Sequence, residues 1–146
     1  MRAENTHITL AFLGDRPATD VPLIADAMEN AASDPFEVSL GAPVRLPRRR
    51  PRALAFEVHD ESGSLGELQT GLAKALNEAI GWNAERSFRA HLTAVRFGRS
   101  ARSDDVDLPV TPDVTFTAGS FSLVLSRLTP DGAEYETLET VLLTRR

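Results

Sequence analysis

One strand-like sequence occurs twice in this chain. THITLAFLG at 6–14 and AHLTAVRFG at 90–98 superimpose with an offset of 84 residues, which aligns His7 with His91, Thr9 with Thr93 and Gly14 with Gly98. A hydrophobic residue follows each histidine, and the alternation of both segments is that of a half-buried strand. Strands are therefore expected at about 6–13 and about 89–97. Residues two apart on a strand point to the same face, so each segment presents an imidazole and a hydroxyl side by side. The chain has only three histidines. Placing two of them in matching settings favours two equivalent strands meeting about a pseudo-twofold axis.

Such a meeting sets two imidazoles across one cleft, the arrangement that general acid–base chemistry on a phosphodiester requires. One neutral histidine takes a proton from the attacking oxygen, and one protonated histidine gives a proton to the leaving oxygen. Thr9 and Thr93 can donate hydrogen bonds to the non-bridging oxygens as charge develops there. Two histidines without a third ligand make a poor zinc site, so no metal or other cofactor is expected. The competing structural reading is two tandem strands whose histidines are merely hydrogen-bonded. His59 ends its own strand, lacks a threonine two residues on, and reads as a surface histidine.

Around the repeat, TDVPLIADAMENAA at 19–32 has a cap at Thr19 or Asp20 and apolar residues at helical spacing. FEVSL at 36–40 alternates as a strand, and the Pro/Arg-rich 43–52 is expected as a loop or irregular edge. ALAFEVH at 53–59 is the next strand. A cap at Ser62 or Ser64 opens a helix with the stripe Leu65, Leu68, Leu72, Leu76 and Ile80, ended by Gly81. A polar loop follows at 99–109, then strand patterns at 113–118, 121–128 and 134–143. The last two are joined by TPDG at 129–132. Two helices with six or seven strands predict an α+β or two-layer α/β fold. Ahead of His91 lie a strand and a long helix, but ahead of His7 lie six residues. If the lobes are equivalent, the first is incomplete, and a sheet short of a strand exposes an edge.

The net charge of −5 does not suit a protein that coats nucleic acid non-specifically. Its positive charges are nevertheless unusual, because Lys74 is the only lysine and five arginines fall within RLPRRRPR at 45–52. The planar guanidinium suits phosphate. This run is either a solvated loop or a phosphate-facing patch. The absence of cysteine excludes thiol nucleophiles and cysteine zinc sites. No segment has the length of a membrane span or the form of a signal peptide, so a cytoplasmic protein with no membrane partner is the default expectation.

With these residues in view, the chain resembles the 2H phosphoesterase superfamily, and within it the bacterial and archaeal 2′-5′ RNA ligase / RNA 2′,3′-cyclic phosphodiesterase group. NTHITLAFLG is similar to that group's first His-x-Thr motif. SFRAHLTAVRFGR is similar to the second, with Arg96 in the arginine position that closes it. RPRALAFEVHD and the C-terminal FSLVLSRLTPDGAEYETLETVLL, with Ser126, Arg127 and Leu128, fit the family pattern too. Departures are Ala90 in place of the usual proline, Ala94 in place of a larger aliphatic residue, and no strand and helix before the first motif. The resemblance implies a single bilobal domain over 1–146, with two antiparallel-rich sheets and outer helices around a central cleft. It also implies metal-independent opening of a ribose 2′,3′-cyclic phosphate to a 2′-phosphate, with reversible ATP-independent 2′-5′ joining of RNA ends. On that pattern His7 is the acid and His91 the base, Thr9 and Thr93 hold the phosphate, and Arg96 adds a contact. Arg48, Arg49, Arg50 and Arg52 become candidate RNA contacts. The partner implied is an RNA or oligonucleotide with a cyclic phosphate end. A small cyclic nucleotide phosphate as substrate, or a non-catalytic RNA-binding paralogue, are the alternatives.

Overall fold

The computed structural model describes residues 5–98 and 107–145. Of the polar loop expected at 99–109, residues 99–106 lie outside the described residues. The backbone divides into two compact units. One comprises the segment ending at Thr9 with Val38–His59 and Arg89–Phe116; the other comprises Leu10–Glu37, Asp60–Phe88 and Thr117–Arg146.

In the second of these units, α1 (Val21–Ala31) follows a single 3-10 turn at Ala18–Asp20 and buries Ile24, Ala27 and Met28. Helix α2 (Ser64–Ile80) buries Leu65, Leu68, Leu72 and Leu76, the stripe expected from their spacing. The two faces meet in one apolar cluster with Trp82 and Val141, on which Leu10, Leu13, Phe121 and Leu123 pack. The start of α2 differs from the expected serine cap. Gly63 occupies the cap position at φ 76°, and the Leu65 N–H donates to the Asp60 carboxylate at 2.6 Å. Ser62 assists, accepting from the Ser64 N–H at 3.2 Å and donating to Asp60 at 2.7 Å. A carboxylate complements the positive end of a helix better than a hydroxyl does. Gly81 closes the helix at φ 69° as expected, its N–H on the Asn77 carbonyl at 2.9 Å.

The hairpin β5 (Ser120–Thr129) and β6 (Gly132–Leu142) forms a two-stranded sheet. Thr129 pairs with Gly132 across the Pro130–Asp131 turn, as TPDG predicted.

Strands β1 (Phe36–Leu46), β2 (Ala53–His59), β3 (His91–Arg96) and β4 (Thr115–Ala118) form a sheet in the order β3-β2-β1-β4, all of it but the first two residues of β1 and the last two of β4 in the first-named unit. The β1–β2 and β2–β3 pairings are antiparallel. Strand β1 runs past Leu40, where the sequence predicted its end. A register shift between Leu40 and Pro43 inserts one extra residue, and pairing resumes through Leu46 opposite Ala53. Gly41 lies in this irregularity, with its carbonyl accepting from Thr111 Oγ1 at 2.8 Å. A Cβ on Gly41 would collide with Nε2 of His59, so the His59 ring occupies the space a side chain would need. His59 itself is exposed, as expected.

The first His-x-Thr segment pairs more sparingly than a full strand. Ile8 forms an isolated antiparallel bridge with Leu92 on β3, and beyond Thr9 the backbone finds other partners. The Leu10 carbonyl accepts from Gln69 Nε2 at 3.3 Å and the Phe12 carbonyl from Trp82 Nε1 at 3.0 Å. Leu10, Ala11 and Leu13 pack on the helical cluster. Side chains from α2 and from the residues after it thus satisfy carbonyls of this segment.

Candidate active site

The Ile8–Leu92 bridge fixes the register between the two motifs. In an antiparallel pair the neighbours of a bridge follow in opposite order, so His7 stands opposite Thr93 and Thr9 opposite His91. Ile8 and Leu92 point to one side, and all four polar side chains point to the other. The two histidines are diagonal neighbours, their backbone positions about 7–8 Å apart by strand geometry. His7 and Thr9 are exposed, while His91 and Thr93 are half-buried.

Each imidazole is held in the same way. His7 Nδ1 lies 2.5 Å from the carbonyl of Asn5, and His91 Nδ1 lies 2.8 Å from the carbonyl of Arg89. In both cases the acceptor is two residues upstream. A carbonyl oxygen only accepts, so Nδ1 carries the hydrogen and Nε2 carries the lone pair of the neutral ring. Both histidines are thereby set to exchange protons through Nε2. This second repeat is local to each segment, and the sequence reading passed over it. The residue types gave no signal for it, since the acceptor is a backbone carbonyl that Asn5 and Arg89 share with every other residue.

Arg96 joins the same face through an irregularity. Simple alternation along β3 would put residues 91, 93 and 95 on one side and Arg96 on the other. The register instead pairs Glu57 with His91, Ala55 with Thr93 and Ala53 with Arg96. These β2 residues are two apart, so their three partners share a face. The extra residue is Ala94, placed between the Ala55–Thr93 and Leu54–Val95 pairs. Such a bulge re-aims the side chains beyond it.

Arg48, Arg49, Arg50 and Arg52 are exposed on the connection between β1 and β2. That connection begins after the Leu46–Ala53 pair, at the end of the sheet where Arg96 stands. The Arg52 N–H donates to the Leu46 carbonyl at 2.8 Å and the Arg52 carbonyl accepts from the Phe97 N–H at 2.7 Å. The loop is thus tied to the residue after Arg96. From the Glu57–His91 row to the Ala53–Arg96 row is four residues of β2, about 13 Å. The side chains of Ala53 and Ala55, between the histidine row and the arginines, are small and buried.

Glu57 and Arg89 were absent from the sequence reading of the site. Glu57 is directly opposite His91, and Arg89 Nη2 donates to Glu57 Oε1 at 2.8 Å. Ser126, Arg127 and Leu128 lie on β5 in the other unit, where Arg127 pairs with Glu136 at 3.0 Å. Among the described residues, no group of three or more histidine, cysteine or carboxylate side chains is placed to hold a metal ion. No helix is long and apolar enough to cross a membrane, among the described residues.

Antiparallel sheets with outer helices in an α+β arrangement, carrying two His-x-Thr motifs, define a 2H phosphoesterase-like protein. The model of the 2′-5′ RNA ligase superfamily matches residues 1–129, and this chain belongs to that family. An Archaeoglobus fulgidus protein described as RNA 2′,3′-cyclic phosphodiesterase is 30% identical over 146 residues, covering 92% of this chain and 78% of its own. A crystal structure of a Thermus thermophilus protein superimposes with a TM-score of 0.83 at 26% identity, over 98% of this chain and 80% of that one. Escherichia coli LigT, crystallised with 3′-AMP, has the same fold, with a TM-score of 0.83 at 22% identity over 99% of this chain and 80% of its own.

Proposed function

We propose that this protein opens ribose 2′,3′-cyclic phosphates at RNA ends without a metal, leaving a 2′-phosphate. The observation that carries this reading is the Ile8–Leu92 bridge, which gathers His7, Thr9, His91 and Thr93 on one face. His91 Nε2 takes a proton from water as its oxygen bonds to phosphorus. The P–O3′ bond breaks on the opposite side, and His7 Nε2 gives its proton to O3′. The products are a 2′-phosphate and a free 3′-hydroxyl. Thr9 and Thr93 donate to the non-bridging oxygens as charge accumulates there. With the 5′-hydroxyl of a second strand in place of water, the same displacement forms a 2′-5′ linkage and needs no nucleotide triphosphate. The relatives described as RNA 2′,3′-cyclic phosphodiesterases support this assignment of substrate.

The RNA strand leading away from the cyclic end runs over Ala55 and Ala53 to Arg96, then to Arg48, Arg49, Arg50 and Arg52. The placement of Arg96 opposite Ala53, with the four exposed arginines at the same end of the sheet, supports an oligonucleotide substrate. The acidic net charge of −5 favours a short one, or a mononucleotide cyclic phosphate, since a long backbone gains from many cationic contacts. Turnover of cyclic-phosphate-ended oligonucleotides of increasing length, with the product identified by phosphorus NMR, tests both readings. A 2′-phosphate product, catalytic efficiency that rises over the first few nucleotides, and turnover that survives EDTA are expected. A flat length response would assign a mononucleotide substrate. No turnover of any cyclic phosphate would leave a non-catalytic RNA-binding protein.

A further inference from the structure

We propose that Glu57 and Arg89 are a positioning pair for His91, which neither the motifs nor the comparisons assign. The inference rests on the two-histidine reading above. Arg89 meets the site twice. Its carbonyl accepts the Nδ1 hydrogen of His91 at 2.8 Å, and its guanidinium holds the Glu57 carboxylate at 2.8 Å. Glu57 in turn stands on the central strand directly opposite His91. The Val58 N–H reaches the Ala90 carbonyl at 3.1 Å, so Ala90, next to Arg89, continues the β2 pairing just ahead of β3. The chain Glu57–Arg89–His91 therefore closes on itself. The carboxylate fixes the arginine side chain, the arginine residue fixes its own carbonyl, and the carbonyl fixes the imidazole.

Stability does not account for this pair. Its side chains are 39% and 35% exposed, and ion pairs so open to water contribute little to folding. Their contribution is geometric. A carbonyl held in place keeps the hydrogen on Nδ1, and that keeps the lone pair on the Nε2 that must meet the attacking water. Proton transfer is sensitive to such placement, and a misplacement of about 1 Å can cost two orders of magnitude.

Glu57→Gln and Arg89→Met test the pair, with Arg89→Lys as the variant that keeps a cation. Proton–nitrogen NMR of the His91 ring reads the tautomer without reference to activity. In the native protein the Nδ1–H form is expected to dominate, in Glu57→Gln and Arg89→Met a mixture, and in Arg89→Lys a return towards the native state. On a dinucleotide with a 2′,3′-cyclic phosphate end, kcat should fall about tenfold in the first two variants, with KM within about twofold. In a His91→Ala background neither change should lower turnover further. Three results would overturn the proposal. One is a native His91 tautomer in both variants. Another is a rise in KM at constant kcat, which would make Arg89 a substrate contact. The third is an equal loss in the His91→Ala background, which would make the pair structural. If the native protein opens no cyclic phosphate, the proposed function fails, and the ring spectra alone still decide the positioning role.

Discussion

His7 stands opposite Thr93, and Thr9 opposite His91, because Ile8 bridges Leu92. Each histidine thus has a threonine beside it on its own segment and a second across the pair. The pairing reads the same from either segment, but the surroundings do not: His7 is exposed, while His91 is half-buried and stands opposite Glu57. In the proposed reaction a protonated His7 beside the leaving oxygen and a neutral His91 beside water give hydrolysis. Exchanging those protonation states gives the reverse step.

Replacing either histidine should therefore stop the chemistry without unfolding the chain. His7→Ala and His91→Ala should each lower cyclic-phosphate turnover about 100- to 10,000-fold. Both side chains lie at the surface or only half-buried, so thermal unfolding should move little. Turnover at the native level in both variants, measured by product release, would end the two-histidine mechanism.

The arginines should appear in the salt dependence. For single-stranded nucleic acid, log K falls with log salt by about 0.7 for each phosphate contact. Arg96→Ala should raise KM for an oligonucleotide. The triple change Arg48→Ala/Arg49→Ala/Arg50→Ala should flatten the salt slope in proportion to the contacts removed. The loss should grow with substrate length. A slope unchanged by the triple variant, in titrations between low and moderate salt, would make this run a solvated loop.

Asp60 gives a pH signature. Burial alone would raise its pKa, but hydrogen bonds from the Ser62 hydroxyl and from the backbone of Leu65, Gly66 and Ser62 outweigh that, and the carboxyl sits below its usual value of 3.8. A group depressed in the folded state stabilises above its unfolded pKa, and that stabilisation is lost as pH falls through the folded value. Asp60→Asn should cost about 1 kcal/mol at neutral pH, the usual worth of such a cap. The difference from the native protein should shrink below about pH 4. Chemical denaturation at the two pH values measures it.

Gly41 and His59 should couple. Gly41→Ala puts a methyl group where the His59 ring sits, and the exposed ring can swing aside at modest cost. Gly41→Ala should destabilise by about 1 kcal/mol in the native background, and less with His59→Ala beside it. Equal losses in both backgrounds would trace the cost to the backbone of the β1 irregularity.

Much of the fold was legible because its signals are local. The Leu65, Leu68, Leu72 and Leu76 stripe, the Gly81 stop and the TPDG turn each act within a few residues, and each is found where the pattern put it. The start of α2 was misread because Asp60, Ser62 and Ser64 all offer capping oxygens, and spacing does not say which of them closes on the helix. The length of β1 was misread for a different reason. Proline and arginine at 43–45 argue locally for a loop, but pairing with β2 carries the strand through them once the extra residue at Gly41–Ala42 is absorbed.

The sequence by itself determined which side chains can act. A histidine and a threonine two apart in an extended segment share a face wherever the segment lies, since the side-chain period of a strand is two. It could not decide what faces what. The bridge from Ile8 to Leu92 joins residues 84 positions apart, the bulge at Ala94 depends on β3 lying against β2, and the Glu57–Arg89 pair exists only in that register. Register is set by long-range backbone hydrogen bonding, and one inserted residue moves every side chain beyond it to the other face. That is why Arg96 joined the histidines only in the folded sheet.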